Sequence, residues 1–372
     1  MIGVHRTGDG NGRVENPNGG GDMKGHPKFR RVPTFRRVGA IALAFVLALG
    51  LLAGCAKGSA PAPGAGEHKD FRVGMVTDIG GVNDNSFNQG AWEGLQRFGK
   101  ETGATVKYVE SKSDADYVPN LQQFAQGGYS LIWGIGYMMA DAVRDVASKN
   151  PAIKFGIIDG EVKGLDNVTS VTFAEQEGAF LVGVVAGLMT KTGKVGFVGG
   201  MDIPVIKRFE AGFKAGVRAA NPNAQVLVAY TGNFNRPDDG KSAAASLYDK
   251  GADIVFHAAG QTGDGVFSEA KDRRKAGQEV WVIGVDRDQR DLGPEVTLTS
   301  MLKRVDVAIY DVSKSVMEGK FTPGIVTLGL KEDAVGLPKD NPHVPQDVMQ
   351  KVQEFKEKIV KGEIVVPTTP EY

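Results

Sequence analysis

From Phe71 onward the chain repeats one pattern: a short, uninterrupted apolar run, then a stretch with helical spacing. The pattern predicts strands over Phe71–Val76, Thr105–Val109, Leu131–Ile135, Lys154–Ile158 and Val168–Phe173. A second series follows, with strands over Lys194–Val198, Gln225–Tyr230, Ile254–Ala258, Val280–Val285, Val296–Met301 and Ile325–Leu330. Between them lie helical segments such as Asn85–Thr102, where Phe87, Ala91, Leu95 and Phe98 recur near helical spacing. Others are predicted over Pro119–Gln126, Glu175–Thr190, Val205–Ala220 and Lys241–Lys250. Strands that are apolar at every position are buried on both faces, which in an alternating α/β chain means parallel sheets covered by helices. The strands are too many for one comfortable sheet. Two doubly wound lobes are expected, with a ligand cleft beyond the carboxyl ends of the strands.

Residues just after strands are therefore the candidates for function. They are Asp78, Asp159, Gly260 and Gln261, Asp286 and Lys303, with Phe234 in the loop after Gln225–Tyr230. A single carboxylate there can be a helix cap. Three carboxylates after separate strands favour a site with several hydrogen-bond acceptors. The loop Thr77–Asn88 is the densest. Its Gly80-Gly81 pair permits a sharp turn. Asp84 either caps the helix that follows or faces a ligand beside Asp78 and Phe87. A planar ligand stacked on Phe87, with its edge on Asp78 and Asp84, would use all three.

Other chemistry is thin. His257 lies in an apolar run and reads as a core histidine. No His and Cys group has zinc spacing, and neither a nucleophile elbow nor a P-loop occurs. No metal or cofactor is expected. Gly134-Ile135-Gly136 is a partial dinucleotide turn without its third glycine.

The N-terminal part is of a different kind. Lys28, Arg30, Arg31, Arg36 and Arg37 precede an uncharged run, Val38–Leu52, which is shorter than the roughly 20 residues of a membrane span. Small residues then lead to Cys55, the one cysteine in 372 residues. This order is that of a secretory signal peptide over residues 1–54. Residues 1–22 lack its features, and Met23 would start a leader of ordinary length, so 1–22 are expected to be a spurious extension. Residues 55–69, rich in Gly, Ala and Pro, read as a flexible tether. From Cys55 onward the chain carries 36 Lys and Arg against 41 Asp and Glu. A net charge near −5 gives no reason to expect nucleic-acid binding.

Two segments carry a specific resemblance. Gly74-Met75-Val76-Thr77-Asp78 and Asn83-Asp84-Asn85-Ser86-Phe87-Asn88-Gln89-Gly90-Ala91-Trp92-Glu93-Gly94 resemble the opening of the basic membrane protein family. Arg208–Phe213, His257–Gly263 and Gly284–Gln289 are similar to later parts of that family, and Leu52-Ala53-Gly54-Cys55 to a lipobox. The family consists of bacterial substrate-binding lipoproteins, like the purine nucleoside receptors, that serve ABC transporters. The resemblance implies a type I periplasmic binding protein fold with two lobes, a hinge and an interlobe cleft. It implies a purine nucleoside as ligand, an ABC transporter permease as partner, and lipidation of Cys55 on the extracytoplasmic face of the cell membrane. Asp78 and Asp84 would take the base edge, with Asn88 also among the ligand-binding residues, Phe87 stacked on one side of the base and Phe234 on the other; Phe209 is the second choice for that ring. Asp159, Asp286 and Lys303 would hold the ribose, and Gly260 would let the backbone approach. Lobe 1 is expected over 70–176 with about 287–320, and lobe 2 over 177–286 with about 321–372, the whole acting as a monomer.

Two other classes remain open. One is a nucleoside hydrolase with calcium on Asp78 and Asp84. The other is a sensing module that passes ligand occupancy to a receptor.

Overall fold

A computed structural model describes residues 70–370. The first series comprises β1 (Arg72–Thr77), α1 (Phe87–Thr102), β2 (Thr105–Glu110), α2 (Tyr117–Gln126), β3 (Leu131–Ile135), α3 (Ala140–Lys149), β4 (Lys154–Ile158) and β5 (Val168–Phe173). The second comprises α4 (Glu175–Met189), β6 (Lys194–Gly199), α5 (Pro204–Ala220), β7 (Gln225–Tyr230), α6 (Pro237–Asp249), β8 (Ile254–Ala258), α7 (Gly263–Lys275), β9 (Trp281–Asp286) and β10 (Thr297–Lys303). The chain ends with α8 (Val305–Met317), β11 (Gly324–Leu328), β12 (Val335–Gly336) and α9 (Gln346–Val360). Helix α6 starts four residues before the expected Lys241 because Pro237 opens its first turn, where a missing N–H costs nothing.

The strands form two sheets, in the orders β2-β1-β3-β4-β5-β11 and β7-β6-β8-β9-β10-β12. Every pairing is parallel except that of β12 with β10. The first five positions of the two sheets have the same topology, so the fold contains a duplication that no sequence repeat announces. Central strands such as β3 and β8 are buried at every residue, while edge strand β2 is not. This is the two-sided burial that the apolar runs require.

Sheet membership near the C-terminus differs from expectation. Residues 297–303 form β10 beside β9 in the second sheet, not the first. Residues 324–328 form β11 beside β5 in the first sheet, not the second. Helix α8 does belong with the first sheet: Ser313 on it accepts a hydrogen bond from the buried Trp133 of β3, at 3.1 Å. A buried parallel strand has the same apolar signature in either sheet, so periodicity does not say which sheet takes it. The chain therefore crosses between lobes after β5, after β10 and after β11.

Helices α4 and α5 pack backbone to backbone. A Cβ at Gly183, Gly212 or Gly216 would strike the carbonyl of Phe213, Gln176 or Phe180 respectively. The Gly and Ala content of these helices is explained by that approach. Gly216→Ala is expected to lower stability by about 1–3 kcal/mol, despite alanine's better helix propensity. The check is the urea midpoint, and an unchanged midpoint would show that the helices can separate freely.

Candidate functional site

The carboxyl ends of both sheets face one cavity. Asp78, Asp84, Phe87, Asn88, Asp159, Phe234, Gly260, Asp286 and Lys303 all line it. The sequence expectation therefore named residues that the fold does bring together. Cys55 lies outside the described residues. Sequence reasoning missed other parts of the wall: Ile203, Val205 and Ile206 ahead of and within α5, and Gly136, Tyr137 and Met138 after β3. Position after a strand was a signal for Gly136. Nothing marked the α5 residues apart from ordinary core.

The duplication explains why carboxylates face each other. Asp159 directly follows β4 and Asp286 ends β9, the equivalent strand of the other sheet. Both adopt left-handed backbone conformations, with φ of 67° and 65°. Such conformations cost energy in non-glycine residues and concentrate at functional sites. Gly136 directly follows β3, and Gly260 lies two residues past the end of β8, the corresponding strand of the other sheet. Their φ values of 120° and 54° require or favour glycine.

The wall near β1 is built from Asp84 outward. Its carboxylate accepts from the backbone N–H of Ser86 at 2.9 Å, Asn88 at 2.8 Å and Gln89 at 3.0 Å. It therefore caps α1, and it also accepts from the Asn88 amide at 3.0 Å. Asp78 accepts from the same amide nitrogen at 2.8 Å and from Gly80 N–H at 2.9 Å. Two carboxylates fix the amide, so its nitrogen faces them and its oxygen Oδ1 is left buried without a partner. Burial pushes Asp78 up to about 6, against the hydrogen bonds from Gly80 and Asn88, with Asp84 and Asp159 adding repulsion. Burial raises Asp84 as well.

The opposite wall holds a buried ionic network. Lys303 Nζ lies 2.6 Å from Asp159 and 3.0 Å from Glu175, with the lysine side chain 1 % exposed. Arg208 Nε reaches Glu175 at 2.6 Å. Desolvation alone would lower the Lys303 ammonium, but Asp159, Glu175 and Asp286 outweigh it and hold its pKa above the ordinary value. The same ammonium lies 5.2 Å from the ring centre of Phe87 and 5.6 Å from that of Phe209. Oδ1 of Asp159 remains buried and unpartnered. Asp286 is only partly exposed and accepts a hydrogen bond from Ser86 Oγ. Burial pushes it up to about 7; Lys303 and Ser86 pull it down, while Asp84 and Asp159 oppose them.

Apolar side chains fill the rest. Phe87, Phe209 and Phe234 all border the space. Phe234 can lie there because Gly200 has no side chain: a Cβ at Gly200 would strike its ring. His257 is fully buried, and desolvation pushes it down to about 4, so it is a neutral core residue.

Two parallel sheets whose carboxyl ends share one polar-and-aromatic cavity define a solute-binding protein of the type I periplasmic class. A solute-binding protein from Aeropyrum pernix K1 superposes with a TM-score of 0.75 at 32 % identity, covering 81 % of this chain and 94 % of its own. The profile of the Bmp family, ABC transporter substrate-binding proteins of the PnrA-like type, matches residues 71–370, and the chain belongs to that family. It is 41 % identical over 348 residues to the ABC transporter nucleoside-binding protein BmpA of Lactococcus lactis, covering 89 % of this chain and 98 % of that protein. It is 48 % identical over 355 residues to a CD4+ T-cell-stimulating antigen of Listeria innocua, covering 90 % and 99 %.

Proposed function

We propose that this protein captures purine nucleosides between its two lobes and delivers them to an ABC transporter permease. The observation that carries the reading is the pairing of unsatisfied acceptors with aromatic rings in one cavity. Asn88 Oδ1 and Asp159 Oδ1 are buried without donors, and a buried acceptor left alone costs about 1–3 kcal/mol. A nucleoside supplies donors at both places: ring or exocyclic N–H at the base edge and hydroxyls on the ribose. Phe87 and Phe234 would stack on the base, each stacked base contributing about 1–3 kcal/mol in related recognition. Asp78 and Asn88 would meet the base edge. Asp84 would act one step back, because its oxygens already hold α1 and the Asn88 amide. Asp159 and Asp286 would accept from ribose hydroxyls, with Lys303 neutralising them and Gly260 allowing close approach. The carboxylates would repel a phosphate, which favours nucleosides over nucleotides. Lobe closure by hinge motion would then present a surface to the permease.

The sequence order of basic segment, apolar run and Leu52-Ala53-Gly54-Cys55 supports lipid attachment at Cys55. That would tether the body outside the cytoplasm. The reading is one of binding without turnover.

Calorimetry of the purified protein with inosine, adenosine, guanosine and uridine, with and without a chelator, tests it. Purine nucleosides are expected to bind in both conditions and to be recovered intact. Failure of every purine nucleoside to bind, or release of free base, would overturn the reading.

A further inference from the structure

Outside the cavity, two consecutive residues of the first lobe, Asn85 and Ser86, touch three places in the second. The backbone carbonyl of Asn85 accepts from Gln289 Nε2 at 2.9 Å. Its side-chain nitrogen donates to Asp264 Oδ2 at 3.0 Å. Ser86 Oγ donates to Asp286. Asn85, Ser86, Asp264 and Gln289 do not line the cavity.

Gln289 is aimed in advance. It is 1 % exposed, and its Oε1 accepts from Val285 N–H at 2.8 Å. That bond settles the amide orientation, so the His257 Nε2 found 2.9 Å from the same oxygen must carry its proton. With Oε1 occupied inside the second lobe, Nε2 of Gln289 points outward to the first. Gly284 makes the room: a Cβ there would lie 2.7 Å from Gln289 Oε1. On the other side Asn85 is held at φ 54°, a conformation asparagine tolerates better than most residues. The Asp84 carboxylate fixes the turn by accepting from Ser86 N–H.

We propose that Gln289, Asn85 and Asp264 form an interlobe latch whose members are positioning residues. They would set the fraction of protein in the capture arrangement and the rate of ligand escape, without choosing the ligand. Apparent affinity scales with the fraction of molecules in the competent state, so a latch strengthens binding of every ligand equally. The proposal rests on the nucleoside reading only for its binding readout.

The test uses three variants. Asn85→Gly keeps the left-handed backbone and removes the amide; Asp264→Ala removes the acceptor; Asp264→Asn keeps an acceptor. Loss of a hydrogen bond to a charged group corresponds to roughly tenfold or more in affinity. Asn85→Gly and Asp264→Ala are therefore expected to weaken inosine binding about tenfold, mainly through faster dissociation. The ratio of affinities for inosine and deoxyinosine should stay unchanged, and Asp264→Asn, which keeps a neutral acceptor, should lose less than Asp264→Ala. By small-angle scattering, the ligand-free Asn85→Gly and Asp264→Ala proteins should have a larger radius of gyration than the unaltered protein. Unchanged dissociation rates, or an altered inosine to deoxyinosine ratio, would overturn the latch. If no nucleoside binds the unaltered protein, the functional reading fails, yet the scattering comparison still decides the latch: equal radii overturn it and expansion of both variants supports it.

Discussion

Lys303→Met is expected to destabilise the protein by about 3–5 kcal/mol, the range for removing one partner of a buried ion pair. The side chains of Lys303 and Glu175 are 1 % and 0 % exposed, and that of Asp159 is 7 % exposed. Methionine fills similar volume but leaves Asp159 without its cation, while Glu175 keeps only Arg208. The carboxylates would respond by holding protons to higher pH. The folded state then binds more protons than the unfolded state above the ordinary carboxylate range, so stability falls as pH rises. The deficit should therefore be smaller at pH 5 than at pH 8. Urea unfolding at both values checks this. A loss under about 1 kcal/mol, independent of pH, would mean that water reaches these carboxylates. Nucleoside affinity should fall too, because Lys303 anchors the far wall of the cavity.

Asp286→Ala is expected to weaken ribonucleoside binding about 10- to 100-fold, equivalent to one lost hydrogen bond to a charged group, about 1.5–3 kcal/mol. Deoxynucleosides should lose less, since the hydroxyl that Asp286 would accept from is absent. The pH behaviour carries a second signature. Desolvation raises the Asp286 pKa from 3.8 to about 7. Between those values the folded state holds the proton and the unfolded state does not, so stability contributed by the neutral carboxyl is lost as pH rises through about 7. Asp286→Asn lacks this titration, so it should melt higher than the unaltered protein at pH 8 and by a smaller margin at pH 4. Binding should run the other way. The ionised carboxylate accepts hydroxyl bonds better, so affinity should strengthen from pH 6 to pH 8 and lose most of that dependence in Asp286→Asn; Asp78, at about 6, supplies the remainder. Normal binding by Asp286→Ala with early melting would make Asp286 a structural cap.

The two variants separate residues that bind from residues that hold the wall. The same distinction applies at Asp84, whose side chain could cap a helix or face a ligand on sequence grounds. Asp84 lines the cavity, but three backbone hydrogen bonds and its bond to Asn88 already occupy its oxygens, and on the proposed reading it positions Asn88 rather than meeting the ligand. Asn88, with an oxygen left unpartnered, would take the forward place on that reading.

Much of this was legible in the chain. Strands Leu131–Ile135, Lys154–Ile158, Val168–Phe173, Gln225–Tyr230 and Ile254–Ala258 form over the residues that their apolar runs mark. Asp78, Asp159 and Asp286 reach one cavity because parallel sheets place the ends of their strands on one side, a consequence of connectivity that sequence order already carries. Sequence alone thus determined the α/β alternation and the positions after strands that line the cavity. Tertiary structure alone decided which sheet takes β10 and β11, because a strand buried on both faces looks the same in either. It also decided that Lys303 meets Asp159, Gln289 meets Asn85 and Asn88 meets Asp78, pairs that lie 144, 204 and 10 residues apart in the chain. Side-chain charge and hydrogen-bond geometry act over a few ångströms in space, and only the folded chain sets those distances.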